Sequence, residues 1–94
     1  MLKHVVMWKL NEDKKNENMC LMKEKLEMLV GVVSVIRSLQ VGFNENGGEY
    51  DVILITDFDS MEDLQAYDSH PEHQKVREFI KNVVQKRAAV DYNY

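Results

Sequence analysis

The sequence has 94 residues, of which 45% are hydrophobic and 30% charged, with one proline and four glycines. This composition is typical of a small folded protein, and we expect a single domain over residues 1–94. The formal net charge of −4 comes from 16 acidic and 12 basic side chains scattered along the chain, which argues against a nucleic-acid partner and against docking on an anionic membrane.

The sequence carries no sign of export or of membrane insertion. Its first ten residues alternate too strictly for a signal peptide, and no apolar run approaches the roughly 20 residues that cross a bilayer. Cys20 is the only cysteine and cannot form an internal disulfide, which favours a reducing compartment. We therefore expect a cytoplasmic protein in which Cys20 packs as a small buried hydrophobic residue.

The segment from Leu2 to Leu10 alternates with a period of two and predicts the first strand. Its even-numbered residues share one face, which includes His4. The other face is apolar at Val5 and Met7, so we expect that face to be covered as well.

From about Lys14 to Val30 the apolar period becomes helical and predicts the longest helix. Gly31 is expected to end this helix, because glycine readily adopts the left-handed conformation that terminates helices. The residues predicted to form its buried stripe are Met19, Met22, Leu26, Leu29 and Val33.

Two further strands are predicted from Val35 to Phe43 and from Tyr50 to Phe58. The intervening residues 44–48 read NENGG, a turn composition, so the two strands should form a hairpin. The second of these strands is apolar on both faces at its centre and is therefore expected inside the sheet.

The rest of the chain predicts two helices and an edge strand. Ser60 supplies a hydroxyl N-cap for a short helix that ends at about Tyr67. A second helix should run from Pro71 to about Gln85, because proline is favoured in the first helical turn. Arg87 to Tyr92 alternates as a last strand.

The order β-α-β-β-α-β, with the second helix broken in two, predicts an α+β ferredoxin-like fold with helices on one face of an antiparallel sheet. The opposite face would then expose apolar side chains at Val5, Met7, Ile53 and Ile55. Soluble monomers seldom expose a surface of that kind. We therefore expect a homodimer in which two sheets pack face to face as a dimeric α/β barrel.

Four stretches of the chain resemble the stress-responsive dimeric α/β-barrel (Dabb) domain proteins. They read KHVVMWKL, GGEYDVILITDFDSMEDLQAY, SHPEHQKV and VDYNY, and together they span nearly the whole chain. The resemblance implies the dimeric barrel and a cavity between the sheet and the helices of each subunit.

The family resemblance leaves the activity open. Some members are stress proteins without a known reaction, whereas plant members include polyketide cyclases that close a linear poly-β-ketone by aldol chemistry without a cofactor. The same fold serves cofactor-free monooxygenases and haem-degrading enzymes, so the fold alone selects no chemistry. The hypotheses are a cofactor-free cyclase-like enzyme, a non-catalytic stress or ligand-binding dimer and, less favoured, a monooxygenase-like enzyme.

The resemblance also implies a candidate catalytic set at His4, Tyr67 and His73, where cyclase-like members have their working groups. Histidine is well suited to remove a proton next to a carbonyl group near neutral pH, so His73 is the candidate base. Tyr67 would donate a hydrogen bond to the carbonyl oxygen, and His4 would position the substrate or orient Tyr67.

Each candidate also has a purely structural interpretation. His70 and Pro71, the first two residues of the HPEH motif, are well explained as a helix start. His4 and His73 could be buried polar groups that bond to the backbone, and Tyr67 could simply cover the core. A divalent metal held by His70, Glu72 and His73, with His4 or Asp68, is a weaker alternative because the spacing is not specific.

Overall fold

The computed structural model describes residues 1–94 as four strands and three helices in the order β-α-β-β-α-α-β. The strands are β1 (Leu2–Leu10), β2 (Ser38–Phe43), β3 (Val52–Phe58) and β4 (Val84–Asn93), and the helices are α1 (Lys15–Glu27), α2 (Met61–Ser69) and α3 (Pro71–Val83). All strand pairs are antiparallel, and the sheet order is β2-β3-β1-β4. The predicted ferredoxin-like fold is thus confirmed, with β3 inside the sheet and β4 at an edge.

The alternation of β1 separates the two faces of the sheet. Leu2, Val6 and Leu10 are buried on one face, where they join a core that includes Met22 of α1 and Ile80 of α3. The odd-numbered residues of β1 lie on the opposite face and stay partly exposed, because no helix covers them. His4 shares the buried face and is therefore directed towards the helices.

Helix α1 ends earlier than the sequence predicts. Its last residue is Glu27, and the next residues form tighter i to i−3 turns, in which Leu29 N–H donates to Leu26 O at 3.1 Å. Gly31 adopts a φ of 87° in the turn that follows, so its left-handed conformation redirects the chain rather than ending the helix.

The side chains around α1 follow the predicted stripe, but Cys20 does not lie in the core. Met22 and Leu26 are buried in α1, whereas Cys20 is exposed. Two residues along a helix correspond to a rotation of about 200°, so Cys20 lies opposite Met22. The prediction of a buried cysteine was wrong for this geometric reason. None of the three helices has the length and apolarity of a membrane span.

Strand β2 begins at Ser38, three residues later than predicted. Val35 and Ile36 pack partly buried against the core instead of pairing in the sheet. Strand β3 begins at Val52 rather than Tyr50, because the side-chain amide of Asn44 binds the carbonyl oxygen of Tyr50 at 2.8 Å and keeps that residue in the turn.

The last elements also shift by a few residues. Helix α2 continues to Ser69 and α3 ends at Val83. Strand β4 starts at Val84 and is longer than predicted, because it pairs with the whole length of β1, from Leu10 opposite Val84 to Leu2 opposite Asn93.

Ser60 is the N-cap of α2, as predicted, and its hydroxyl accepts a hydrogen bond from Asp63 N–H at 3.2 Å. Replacing Ser60 by alanine is expected to lower the free energy of unfolding by about 1 kcal/mol, because this N–H loses its acceptor. Urea denaturation measures the change. Ser60→Asp keeps an acceptor and should stay within about 0.5 kcal/mol of the wild type; an equal loss in both variants would contradict the capping role.

Candidate functional site

His4 is held on β1 by a carboxylate from the neighbouring strand. The register of β1 and β4 places His4 directly opposite Asp91, and His4 Nδ1 lies 2.5 Å from Asp91 Oδ1. A carboxylate only accepts hydrogen bonds, so Nδ1 carries the proton and Nε2 carries the lone pair in the neutral ring. Asp91 thereby fixes both the tautomer and the orientation of His4, which is 9% exposed.

His73 lies in the first turns of α3 and is 8% exposed. Its Nδ1 lies 3.1 Å from the carbonyl oxygen of Asp68, near the end of α2. A carbonyl oxygen also only accepts, so Nε2 is again the nitrogen with the lone pair. Burial lowers the pKa of His73 below its ordinary 6.5, opposed by the hydrogen bond to Asp68. His73 is therefore neutral near pH 7 and able to accept a proton.

Tyr67 packs against both histidines. Its ring centroid is 4.1 Å from that of His73 and 6.2 Å from that of His4. The side chain is 1% exposed, and its hydroxyl has no hydrogen-bond partner within the protein. Burial, assisted by the charge of Asp68, raises the pKa of Tyr67 far above its ordinary 10.0, so the phenol keeps its proton at any physiological pH.

A second buried hydroxyl without a partner lies beside His4. Thr56 of β3 is the cross-strand neighbour of His4, is fully buried, and its Oγ1 has no hydrogen-bond partner within the protein. Buried polar groups are nearly always paired, because an unpaired hydroxyl costs about 1–3 kcal/mol. Two such hydroxyls around one histidine are unusual for a region that serves packing alone.

An open cleft of about 570 Å³ reaches this region between α3 and the β1–β4 half of the sheet. Its volume falls within the usual range for small-molecule sites. Its lining residues are His4, Val6, Trp8, Asp68, His73, Gln74, Arg77, Glu78, Ile80, Lys81, Val84 and Arg87. The structure thus brings His4 and His73 together at the cleft, whereas Tyr67 lies behind them and does not line it.

His70 and Pro71 join α2 to α3 and lie outside the lining of the cleft. His70 Nδ1 accepts a hydrogen bond from Glu72 N–H at 3.1 Å and so caps α3, while Pro71 occupies the first turn of that helix. The structure contains no group of three or more His, Cys, Asp or Glu side chains arranged to hold a metal ion.

Several residues of the site escaped the sequence analysis. Asp91 was seen only as part of the last strand, because its pairing with His4 depends on a register that a single sequence does not define. The contact of His73 with the Asp68 carbonyl depends on how α2 and α3 meet, which the sequence alone does not define. Arg87 lies on the same face of β4 as Asp91, as the alternation of that strand predicts.

The arrangement suits proton transfer. Each imidazole has its Nδ1 atom bound to an oxygen acceptor, so the neutral form of either ring carries its lone pair on Nε2, and a protonated phenol packs against both rings. A neutral imidazole can remove a proton, and a phenol without a partner can donate a hydrogen bond to a developing oxyanion.

The chain is similar to several solved structures. A dimeric protein of unknown function with a ferredoxin-like fold from Bacteroides fragilis NCTC 9343 shares 35% identity over 99% of this chain and 95% of its own, with a TM-score of 0.93. A dimeric ferredoxin-like protein of unknown function from Thermobifida fusca shares 20% identity over 99% and 90%, with a TM-score of 0.89.

A more distant structure is the hydroxynitrile lyase of Passiflora edulis, with 10% identity over 97% of this chain and 90% of its own and a TM-score of 0.86. Likeness at such low identity shows the fold alone. A comparison with curated proteins gives no significant match. The sequence profile of the stress responsive A/B barrel domain (Dabb) matches residues 2–94, which is nearly the whole chain. The chain therefore belongs to the Dabb family.

Proposed function

We propose that this chain is a cofactor-free enzyme that transfers a proton at the carbon next to a carbonyl group, with polyketide-cyclase-like aldol closure as its reaction. One observation carries the proposal: His73, neutral and bound through Nδ1, lines a cleft behind which lies the unpaired hydroxyl of Tyr67. A base and an oxyanion donor side by side are what enolate formation requires.

In this mechanism Nε2 of His73 removes a proton from the substrate carbon, and the electron pair of the C–H bond forms the enolate. The mechanism requires the substrate carbonyl to reach past the histidines, so that the Tyr67 hydroxyl behind them donates a hydrogen bond to the enolate oxygen. The enolate carbon then forms a bond to a second carbonyl carbon of the same substrate, and protonated His73 returns its proton to the new alkoxide. His4, held by Asp91, positions the substrate carbonyl or orients Tyr67.

The competing hypothesis is a non-catalytic stress or ligand-binding dimer. It is favoured by the fact that His70 and His73 both bond backbone groups at the α2–α3 junction, as purely structural histidines would. Under that hypothesis the substitution of His73 lowers stability and affects no reaction. Oxygen consumption with a bound substrate would instead favour a monooxygenase-like enzyme.

The proposal is tested by deuterium exchange. The neutral methyl ketone 7-oxooctanamide is incubated with the protein in D2O, and NMR follows the loss of the hydrogens next to the ketone. We expect exchange well above that of free imidazole at the same histidine concentration, because the site adds an oxyanion donor to a positioned base. Exchange no faster than with free imidazole would contradict the proposal.

Replacing Tyr67 by phenylalanine separates catalysis from stability. We expect the exchange rate to fall about a hundredfold, because the oxyanion donor is lost. The free energy of unfolding should rise by about 1 kcal/mol, because a buried hydroxyl without a partner is removed. NMR exchange and urea denaturation measure the two quantities. Tyr50→Phe, the same change at a tyrosine that packs against neither histidine, should leave the rate unaltered; equal rates in all three proteins would contradict the role of Tyr67.

We also propose that the chain forms a homodimer through the face of the sheet that no helix covers. The strand registers align two rows of apolar side chains there. One row contains Val90, Val5 and Ile55, and the other contains Ala88, Met7 and Ile53. Val90 is 63% exposed in the single chain. The similar proteins of Bacteroides fragilis and Thermobifida fusca are both described as dimeric, which supports the proposal.

The full proposal is a homodimer that acts on a small molecule without a cofactor. A cytoplasmic location stays a prediction, based on the single cysteine, which cannot form a disulfide within the chain.

A further inference from the structure

The cleft is lined by three cations, and two of them, Lys81 and Arg87, lie at the end away from the histidines. Although the chain has a net charge of −4, three of the residues lining the cleft are Arg77, Lys81 and Arg87. Arg77 forms an ion pair with Asp68 at 3.5 Å. Lys81 and Arg87 form no ion pair, and the remaining acid of the lining is Glu78. Two unpaired cations against one carboxylate leave an excess of one positive charge.

The strand register gives the position of these cations relative to the histidines. On β4, Arg87 lies opposite Trp8 and Asp91 lies opposite His4. Four residues separate the two pairs, which corresponds to about 13 Å along a strand. The cationic end and the histidine end therefore lie at opposite ends of the cleft.

Helix α3 forms the other wall of the cleft and gives a similar distance between the histidines and the cations. His73 and Lys81 are eight residues apart, which corresponds to about 12 Å along a helix. Val84, just after α3, pairs with Leu10, so the C-terminal end of α3 lies at the Trp8 end of β1. The apolar lining residues are Val6, which lies between the two ends on β1, and Trp8, Ile80 and Val84, which lie beside the cationic end.

We infer that the ligand of this cleft is an elongated molecule with a carboxylate that binds Arg87 and Lys81 and an apolar segment next to that carboxylate. The inference rests on the proposed function, since it places the reacting carbonyl at His73. The planar guanidinium of Arg87 suits the two oxygens of a carboxylate. An excess of one positive charge matches a monoanion better than a phosphate monoester, which carries close to two negative charges at pH 7.

Two probes that differ only in charge test the inference. 7-Oxooctanoate carries a ketone and a carboxylate at opposite ends, and 7-oxooctanamide is its neutral analogue. Binding is followed by the fluorescence of Trp8, the only tryptophan of the chain and part of the cleft. We expect the wild type to bind the acid about tenfold more tightly than the amide, as hydrogen bonds to a charged group allow.

The variants assign the preference to the two cations. In the double variant Arg87→Gln, Lys81→Gln the ratio should fall below about twofold through weaker binding of the acid, with the affinity for the amide unchanged. The control Lys75→Gln removes the same type of charge from α3 outside the cleft and should keep the tenfold ratio. If the double variant does not fold, added NaCl on the wild type should weaken binding of the acid alone, because these charges are exposed.

Equal affinities of the wild type for acid and amide, or a preference that survives in the double variant, would overturn the inference. These outcomes are independent of the deuterium exchange experiment. A carboxylate preference without exchange supports the anion site and contradicts the proposed reaction. Exchange of the amide without any carboxylate preference supports the reaction and overturns the anion site.

Discussion

Replacing His73 by glutamine is expected to lower the rate of deuterium exchange by about a thousandfold, because the general base is removed. Glutamine retains an N–H group that can donate to the Asp68 carbonyl, as His73 Nδ1 does in the wild type. Its amide nitrogen has no lone pair that accepts a proton near neutral pH. The fold should therefore persist while the exchange is lost.

The pH dependence of the rate provides a second signature of His73. Burial lowers its pKa, so the neutral form that acts as a base persists below pH 6.5. The midpoint of the decline in the wild-type rate should thus lie below pH 6.5, the ordinary pKa of the group. In the His73→Gln variant the residual exchange rate should not show this decline.

The same pKa affects stability in a defined direction. Between the lowered pKa of the folded state and the ordinary pKa of the unfolded state, the unfolded chain binds more protons. The free energy of unfolding should therefore decrease as the pH falls below about 6.5, and His73→Gln should flatten this dependence. Urea denaturation between pH 5 and pH 8 measures both proteins.

His70 offers a matched control within the same motif. His70→Asn removes an imidazole but keeps a side-chain acceptor at the N-cap of α3, so both stability and exchange rate should be preserved. An unchanged exchange rate in His73→Gln would contradict the role of His73 as a base. Loss of folding in His73→Gln, with normal exchange in any remaining folded fraction, would favour the non-catalytic hypothesis.

The fold could be predicted from the sequence because the spacing of apolar residues is regular in its main elements. Leu2 to Leu10 alternates without a break, and the structure places β1 at the same residues. The end of α1 was harder to predict, since the apolar pattern continues through Leu29 and Val33 although the helix has ended at Glu27. Both residues lie after the end of the helix and are nevertheless buried, so burial alone does not indicate helical geometry.

The site was only partly accessible from the sequence. The family resemblance pointed to His4, Tyr67 and His73, and these side chains lie next to one another in the structure. The burial of Tyr67 behind the histidines could not be read from the sequence, because it depends on how α2 packs on the sheet. Asp91 was missed for a similar reason, since cross-strand partners depend on register.

Replacing Ile55 by glutamate is expected to convert the proposed dimer into monomers at micromolar concentration. Ile55 lies at the centre of the uncovered face, between Val5 on β1 and Gln40 on β2. A carboxylate buried there without a partner costs several kcal/mol, and a two-fold axis repeats that cost in the second copy. The dissociation constant should therefore rise by three or more orders of magnitude, at roughly 1.4 kcal/mol for each.

Sedimentation equilibrium distinguishes this outcome from general unfolding. Ile55 is only partly buried within the single chain, so the glutamate can reach water once the copies separate, and the core on the helical face is unaltered. Leu21→Glu makes a similar change at an exposed position of α1 and should leave the dimer intact. A wild type that sediments as a monomer would refute the dimer. A dimeric Ile55→Glu protein would instead place the interface elsewhere, because no sheet-to-sheet contact accommodates two unpaired carboxylates at its centre.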